Sequence, residues 1–333
     1  MSPHGFHPGD SRGPSRVGSR VVRLLHVTNG EIVAQSLELA GLPGRVLAWD
    51  DVLHEGPVPH GLPAARLNEV RARFAEERGW AAFEDALDRL DGRDRILASL
   101  KREEEVVLWL EPDLFDQLQL LQVVERLATA GNTHGIALVC PGDYLGPLEP
   151  GELAALLPQR EPLGPALVEL ACRAWSAFRS PDPTAIEALL VEGTADFPYL
   201  GPALVRHLEQ FPSVAEGLSR TERRILELVS EGMEDPAELF TASQQGEEYP
   251  FMGDATFFGY LRGLDAGGAL LLRGAAEPTE RGRALLAAEL DWPGLAPFDR
   301  WLGGVHLEGP RPAWRWDPER RRLVRSGGET GAP

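Results

Sequence analysis

The stretch VVRLLHVTNGEIVAQSLELAGLPGRVLAWDD (21–51) decides the fold class. An apolar run at 21–28 ends in Asn29-Gly30. The next segment, 31–41, places Ile32, Ser36 and Leu39 at helical spacing before Gly41 supplies a stop. GRVLAWDD (44–51) is a second apolar run. Strand, helix and strand in so short a span imply parallel pairing, because a parallel strand needs a crossover and a helix fills it.

The same rhythm continues downstream. A Pro/Gly-rich loop, LHEGPVPHGLP (53–63), leads into a helix over 64–78 with Leu67, Val70 and Phe74 on one face. A further helical stretch from about 81 to 102 carries an interruption near Asp91-Gly92. EVVLWLEPD (105–113) reads as a third strand, DLFDQLQLLQVVERLATAG (113–131) as a long amphipathic helix, and GIALVCPGD (135–143) as a fourth strand. The strands are near-continuous apolar runs, as expected when both faces of a sheet are covered. The sequence therefore predicts an α/β domain over 20–149 with a parallel, Rossmann-like sheet.

Working outward, residues 1–19 are rich in Pro, Gly, Ser and Arg and read as a disordered tail, as do 325–333. Residues 150–218 show proline-punctuated helices and read as a helical connector. At 219–290, Ser219 and Glu222 form a capping box before an apolar run. Two more helices, a strand pair around ALLLRG (269–274) and a closing helix follow, an order that resembles a winged helix. Alternation of Val305/Leu307 and Trp314/Trp316 predicts a terminal hairpin over 291–324 with one buried face.

Composition narrows the partners. Net charge is −18 and Lys101 is the only lysine. Residues 219–290 hold seven arginines against thirteen acidic residues, which argues against nucleic acid, since phosphate contacts supply most non-specific affinity. A protein partner or a homodimer contact suits the winged-helix-like unit better. No apolar run reaches the length of a membrane helix, so no membrane partner is expected and the cytoplasm is the expected address. Cys140 and Cys172 sit in apolar stretches without metal-type spacing and read as buried free thiols.

In parallel sheets ligands bind beyond the carboxyl ends of the strands. Here those ends carry Asn29, Gly30 and Glu31; Asp50 and Asp51 with His54, Glu55 and Gly56 close behind; Glu111, Asp113, Asp116 and Gln117; and Asp143. Clustered carboxylates raise one another's pKa or recruit a cation, and suit acid/base work, an oxygen-rich metal site or bonding to sugar hydroxyls. Asp51, His54 and Glu111 are the candidate acid/base set, with Asp50 as an alternative to Asp51. Asn29, Gly30, Asp50, Glu55, Asp113 and Gln117 are candidate ligand contacts. Arg71 on the 64–78 helix is a candidate anion contact, although Arg66, Arg71 and Arg73 also read as a solvated face. Acidic residues in such loops equally cap helices, and Asp113 followed by Asp116 is a plain capping arrangement. His26 reads as a core histidine, and His134 and His207 as helix-end or surface residues. His306 gains interest only if the terminal hairpin folds back on the first domain. No metal ligand set is assigned and no cofactor is identified.

These motifs resemble an uncharacterised bacterial family, domain of unknown function 1835. Its pattern is a strand ending in HV-x-N-G, a W-x-D-x-L-H-E-G-P-V-P segment and a W-x-E-x-D-L-(Y/F)-D-Q-L-Q-L stretch. The chain shows His26 to Gly30, Trp49 to Pro59 and Trp109 to Leu120 in those places, a likeness covering roughly 22–145. SRTER, PFMGD and DRWLGGVHL further along look like usual companions of the domain. The family pattern has Asp where this chain has Glu31, which argues against a metal role there. The resemblance groups Asn29, Asp51, His54, Glu55, Glu111, Asp113 and Gln117 in one motif set and implies no activity.

Three functional readings are compatible with these residues. One is a site for a nucleotide-like or hydroxyl-rich metabolite, with hydrolytic or transfer chemistry by Asp51, His54 and Glu111. Another is a non-catalytic ligand sensor or adaptor that signals through the connector to the winged-helix-like unit. A third is an interaction protein without a ligand.

Overall fold

The computed structural model describes residues 23–326, so the tail predicted for 1–19 and most of that predicted for 325–333 lie outside the described residues. The first half runs β1 (Arg23–Thr28), α1 (Glu31–Leu39), β2 (Arg45–Ala48), β3 (Gly56–Pro57), α2 (Ala64–Glu77), α3 (Phe83–Ala98), β4 (Glu104–Trp109), α4 (Leu114–Thr129) and β5 (Ile136–Val139). The middle contributes α5 (Pro150–Leu156), β6 (Glu161–Pro162), α6 (Pro165–Phe178), α7 (Thr184–Glu192) and α8 (Leu200–Leu208). Then come α9 (Arg220–Ser230), α10 (Pro236–Gln245), α11 (Asp254–Ala266), β7 (Leu270–Leu272), β8 (Ala276–Pro278), α12 (Glu280–Leu286) and α13 (Trp292–Leu295). The chain closes with β9 (Phe298–Gly303), β10 (Val305–Gly309), β11 (Trp314–Asp317) and β12 (Arg322–Arg325). No helix among the described residues is long and apolar enough to cross a membrane.

The protein is a mixed α/β structure around a mostly parallel five-stranded sheet of order β2-β1-β4-β5-β6. β1 pairs in parallel with both β2 and β4, and β4 with β5. Only the two-residue β6 is antiparallel, an edge strand that the helical reading of the middle segment did not include. Alternation along the strands sends Leu24, Val107 and Trp109 to one face, where Val33, Leu37 and Leu153 of α1 and α5 cover them. Leu25, Val27, Val106 and Leu108 face α4. That helix is buried almost all round, because α6 and α8 pack on its far side. The chain leaves β1 towards β2 and β4 towards β5. The crossovers therefore diverge between β1 and β4, the place where a parallel sheet opens a crevice.

Several local expectations change. In α1 the buried stripe is Val33, Ala34 and Leu37, while Ile32 and Leu39 lie exposed: the sheet takes the neighbouring face of the helix. α3 runs unbroken through Gly92, because packing of α3 on α2 outweighs the roughly 1 kcal/mol that an interior glycine costs. The predicted terminal hairpin is two hairpins, β9–β10 and β11–β12. Their two alternating patterns belong to different sheets, which period alone cannot distinguish.

The first hairpin folds back onto the α/β half. β9 pairs in parallel with β3, matching Gly56 with Leu302 and Pro57 with Gly303. Its Gly303-Gly304 turn abuts the end of α6, where the Gly304 N–H donates to the Phe178 carbonyl at 3.0 Å. A Cβ on Gly304 would run into the backbone carbonyls of Arg179 and Ser180, which no side-chain rotation relieves. The hydrophobic core is correspondingly continuous from Leu25 to Leu323. Gly304→Ala should therefore lower stability by ~1–3 kcal/mol in urea unfolding, the usual cost of overpacking.

Candidate functional site

The parallel strands bring the predicted ends to one rim, and a cleft of about 1200 Å³ opens there. Its walls come from β2 and the loop after it, from α2 and α3, from the start of α4, and from Pro250 to Gly253 just before α11. Asp50, Asp51, His54, Arg71, Glu111 and Asp113 all line it, whereas Asn29, Gly30, Glu55 and Gln117 stay off its walls.

Asp51 is 6% exposed and clamped between two buried arginines. Arg71 donates to Oδ1 from Nε (3.1 Å) and Nη2 (2.9 Å), and Arg93 donates to Oδ2 at 3.1 Å. Burial opposes ionisation of Asp51, but Arg71 and Arg93 outweigh it and hold the carboxyl below its ordinary value. It is thus a fixed anion, unsuited to the general-base role expected of it. Arg71 also donates to the Glu55 and Val52 carbonyls at 2.6 and 2.7 Å, and Arg93 to the Trp49 carbonyl. Arg71 is therefore a buried strut, neither on a solvated face nor free for an anion. Asp50, exposed and in the left-handed region at φ 45°, pairs with Arg89 at 3.2 Å.

The pair His54-Glu55 splits. Glu55 turns away from the cleft and accepts a 2.8 Å hydrogen bond from the Tyr260 hydroxyl of α11. Burial pushes its carboxyl up, only partly offset by Tyr260 and nearby arginines. His54 faces the cleft, 2% exposed, with the edges of Phe115 (6.0 Å) and Phe251 (5.1 Å) against it. Neither ring nitrogen has a hydrogen-bond partner among the described residues. Burial first, then the charges of Arg71 and Arg206 and neighbouring His207, push its pKa down to about 3. The ring is therefore neutral at pH 7, a hydrogen-bond donor and acceptor but a weak base.

Glu111 lies at the divergence of the crossovers. Its Oε2 accepts from Asn29 at 3.1 Å, and its Oε1 from the Leu145 and Gly146 N–H groups at 2.6 and 3.2 Å. Gln117 donates to the Glu111 carbonyl at 2.9 Å, so it supports the loop rather than a ligand. Asp113 caps α4, accepting the Asp116 N–H at 3.0 Å, as the capping interpretation expects. Asp116 is fully buried and accepts from the Glu111 N–H (2.6 Å) and Asn29 (3.1 Å). Burial raises all three carboxyls, Asp113 to about 7, with added repulsion from Asp143 at Glu111, from Glu111 at Asp113 and from both neighbours at Asp116. Gly30 opens α1 with an extended backbone.

The remaining histidines divide. His26 is a core residue, accepting from Trp109 Nε1 at 3.0 Å. His207 sits at a helix end but is buried against Phe178 and Phe211, with its pKa pushed down to about 3 by burial and then Arg206. His306 stays partly exposed, stacked on Trp301 and bonded to Asp299 at 2.7 Å, away from the cleft. The sequence reading missed Arg93, Phe251 and the role of Tyr144, whose hydroxyl donates to the Pro250 carbonyl at 2.8 Å. The PFMGD motif was the signal for Phe251, with nothing in the sequence to place it opposite His54. Both cysteines are unpaired and half-buried. The chain matches no family model, and a search of curated proteins finds no match.

Removing Asp51 leaves two buried guanidinium groups uncompensated. Asp51→Ala should cost ~3–5 kcal/mol in chemical denaturation, and Asp50→Ala, which breaks an exposed pair, under ~1 kcal/mol. The depressed histidines and raised carboxyls act oppositely on stability. Below the ordinary histidine pKa the unfolded chain takes up protons that folded His54 refuses, so its contribution falls as pH drops from about 6.5 towards 3. Asp113 keeps protons when folded that the unfolded chain releases, so its penalty grows as pH rises from about 4 to 7. Unfolding free energies measured between pH 4 and 6 should give a wild-type minus His54→Leu difference that rises with pH, by up to ~1.4 kcal/mol per unit. The wild-type minus Asp113→Asn difference should slope the other way.

Proposed function

We propose that the protein is a small-molecule-binding sensor or adaptor whose ligand lies in the strand-end cleft and contacts His54. The observation that carries this reading is the neutral imidazole at the cleft wall, buried with both nitrogens unpartnered. An unpaired buried polar group costs roughly 1–3 kcal/mol, which a ligand offering both a donor and an acceptor recovers when a turn of the ring brings its buried nitrogens to the cleft surface. Phe115 and Phe251 supply apolar surface on either side of the ring. Two of the cleft's arginines, Arg71 and Arg93, are committed to Asp51, and the third, Arg89, pairs with Asp50. Acidic groups of the lining with no ion pair among the described residues, such as Glu31, Glu38 and Asp88, repel anions. The favoured ligand class is therefore an unphosphorylated nucleoside-like or other hydroxyl-rich metabolite. Acid/base catalysis by Asp51, His54 and Glu111 is disfavoured, since the first is ion-paired, the second a weak base and the third held by three hydrogen bonds.

The sensor reading draws support from Phe251 and Met252, which precede α11 and share the cleft with the strand ends. We read the sheet as Rossmann-like and α9 to α12 with β7–β8 as winged-helix-like, the latter a protein-contact or dimer surface. Membership of the domain of unknown function 1835 family is part of the same proposal. In its support, Trp49, Asp51, His54, Glu55 and Gly56 of the quoted motif each hold a distinct place around the cleft or its supports.

A thermal-shift screen of nucleosides, sugars and their phosphates tests this directly. A ligand at 100 times its Kd adds about 2.7 kcal/mol of stability. Unphosphorylated compounds should shift the midpoint and their phosphates should bind at least tenfold more weakly. His54→Leu should abolish binding while leaving unliganded stability equal or higher. Wild-type binding by His54→Leu, or no shift with any compound, would remove the proposal.

A further inference from the structure

Among the described residues, Glu111, Asp113 and Asp116 each offer a carboxylate oxygen within 4.8 Å of the others, and all three are buried. Other buried acids have a basic or phenolic partner: Asp51 has Arg71 and Arg93, Glu222 has Arg300, Glu216 has Arg223, and Glu55 has Tyr260. These three have none among the described residues. Their hydrogen bonds come from backbone N–H groups and from the Asn29 amide.

A second observation is independent of the clustering. Asp116 uses Oδ2 for both of its bonds, and its Oδ1, in a side chain with no exposed surface, has no hydrogen-bond partner among the described residues. Buried polar atoms are usually matched by a hydrogen bond. A cation held by the three carboxylates relieves their mutual repulsion, and Asp116 has an oxygen uncommitted to any hydrogen bond with which to ligate it.

We propose that Glu111, Asp113 and Asp116 form a divalent cation site at the mouth of the switch between β1 and β4. An all-oxygen donor set selects a hard ion of the Mg²⁺, Mn²⁺ or Ca²⁺ type over softer transition metals. Asn29 and the Leu145 and Gly146 N–H groups supply the outer hydrogen bonds that orient ligating carboxylates. Glu111 and Asp113 line the cleft, so the ion has a route in from solvent. The site goes beyond the cleft-ligand proposal and does not rest on it.

Mn²⁺ is the probe, added to the full chain after chelator treatment. Loss of the free-ion electron paramagnetic resonance signal should report one bound ion per chain, displaced by Mg²⁺ or Ca²⁺. The unfolding midpoint should rise by about 3 °C or more at about 5 mM Mn²⁺. Asp113→Asn, which preserves the helix cap, and Glu111→Gln should each weaken binding at least tenfold. His54→Leu should bind Mn²⁺ like the wild type. Absence of binding at that concentration would overturn the assignment. So would equal binding by Asp113→Asn and Glu111→Gln, which would place the ions on the acidic surface of a chain with net charge −18.

Discussion

Asp51 between Arg71 and Arg93 is the interaction from which the geometry of the loop after β2 follows. The carboxylate alone would be expelled from a site this buried, and so would either guanidinium. Together they hold the loop at both ends, because Arg71 also grips the Glu55 and Val52 carbonyls and Arg93 the Trp49 carbonyl. With the backbone set, consecutive side chains take opposite sides: His54 towards the cleft and Glu55 towards Tyr260. Gly56, at φ 76°, passes so close to the Phe74 ring that a Cβ would lie 2.5 Å from it. The next step, Gly56-Pro57, is the strand on which β9 docks.

The molecule thus buries acids in two physically different ways. Where the purpose is to hold shape, an arginine sits opposite, and the acid stays ionised despite desolvation, as in Asp51 and Glu222. At the β1–β4 divergence three acids share only uncharged donors, backbone N–H groups and the Asn29 amide, and desolvation and repulsion raise their pKa values together. The first arrangement resists change. The second stores unfavourable energy that a proton or a cation relieves, the kind of arrangement that responds to its surroundings.

How much of this was legible in the sequence follows from the range of each interaction. Apolar runs alternating with helical spacing are local, and they yielded the parallel strands and the shared rim. Asp113 capping α4 and the Ser219–Glu222 box are equally local, three residues apart, and the structure has both. Arg71 was hidden because its helix is amphipathic by period, and only Asp51, twenty residues away in the chain, turns that arginine inward. Phe251 against His54 and Leu302 beside Gly56 span some 200 residues or more, where periodicity carries no information. The two terminal hairpins failed for a related reason: alternation marks a strand's buried face but not the strand it pairs with.

These long-range contacts also bear on the role proposed for the cleft. A pocket built wholly within the α/β half would report its occupancy only to that half. Here one wall of His54's surroundings is Phe115 of the sheet's own helix and the other is Phe251, on the approach to α11. Its neighbour Glu55 is hydrogen-bonded to Tyr260 in that same helix. Occupancy beside His54 therefore bears on two contacts that join the halves, the Phe251 edge directly and the Glu55–Tyr260 bond through one peptide unit. Tight packing makes such contacts respond as a set rather than singly. The segment from Trp49 to Pro57 is in this sense both a wall of the cleft and the seam between the two parts of the chain.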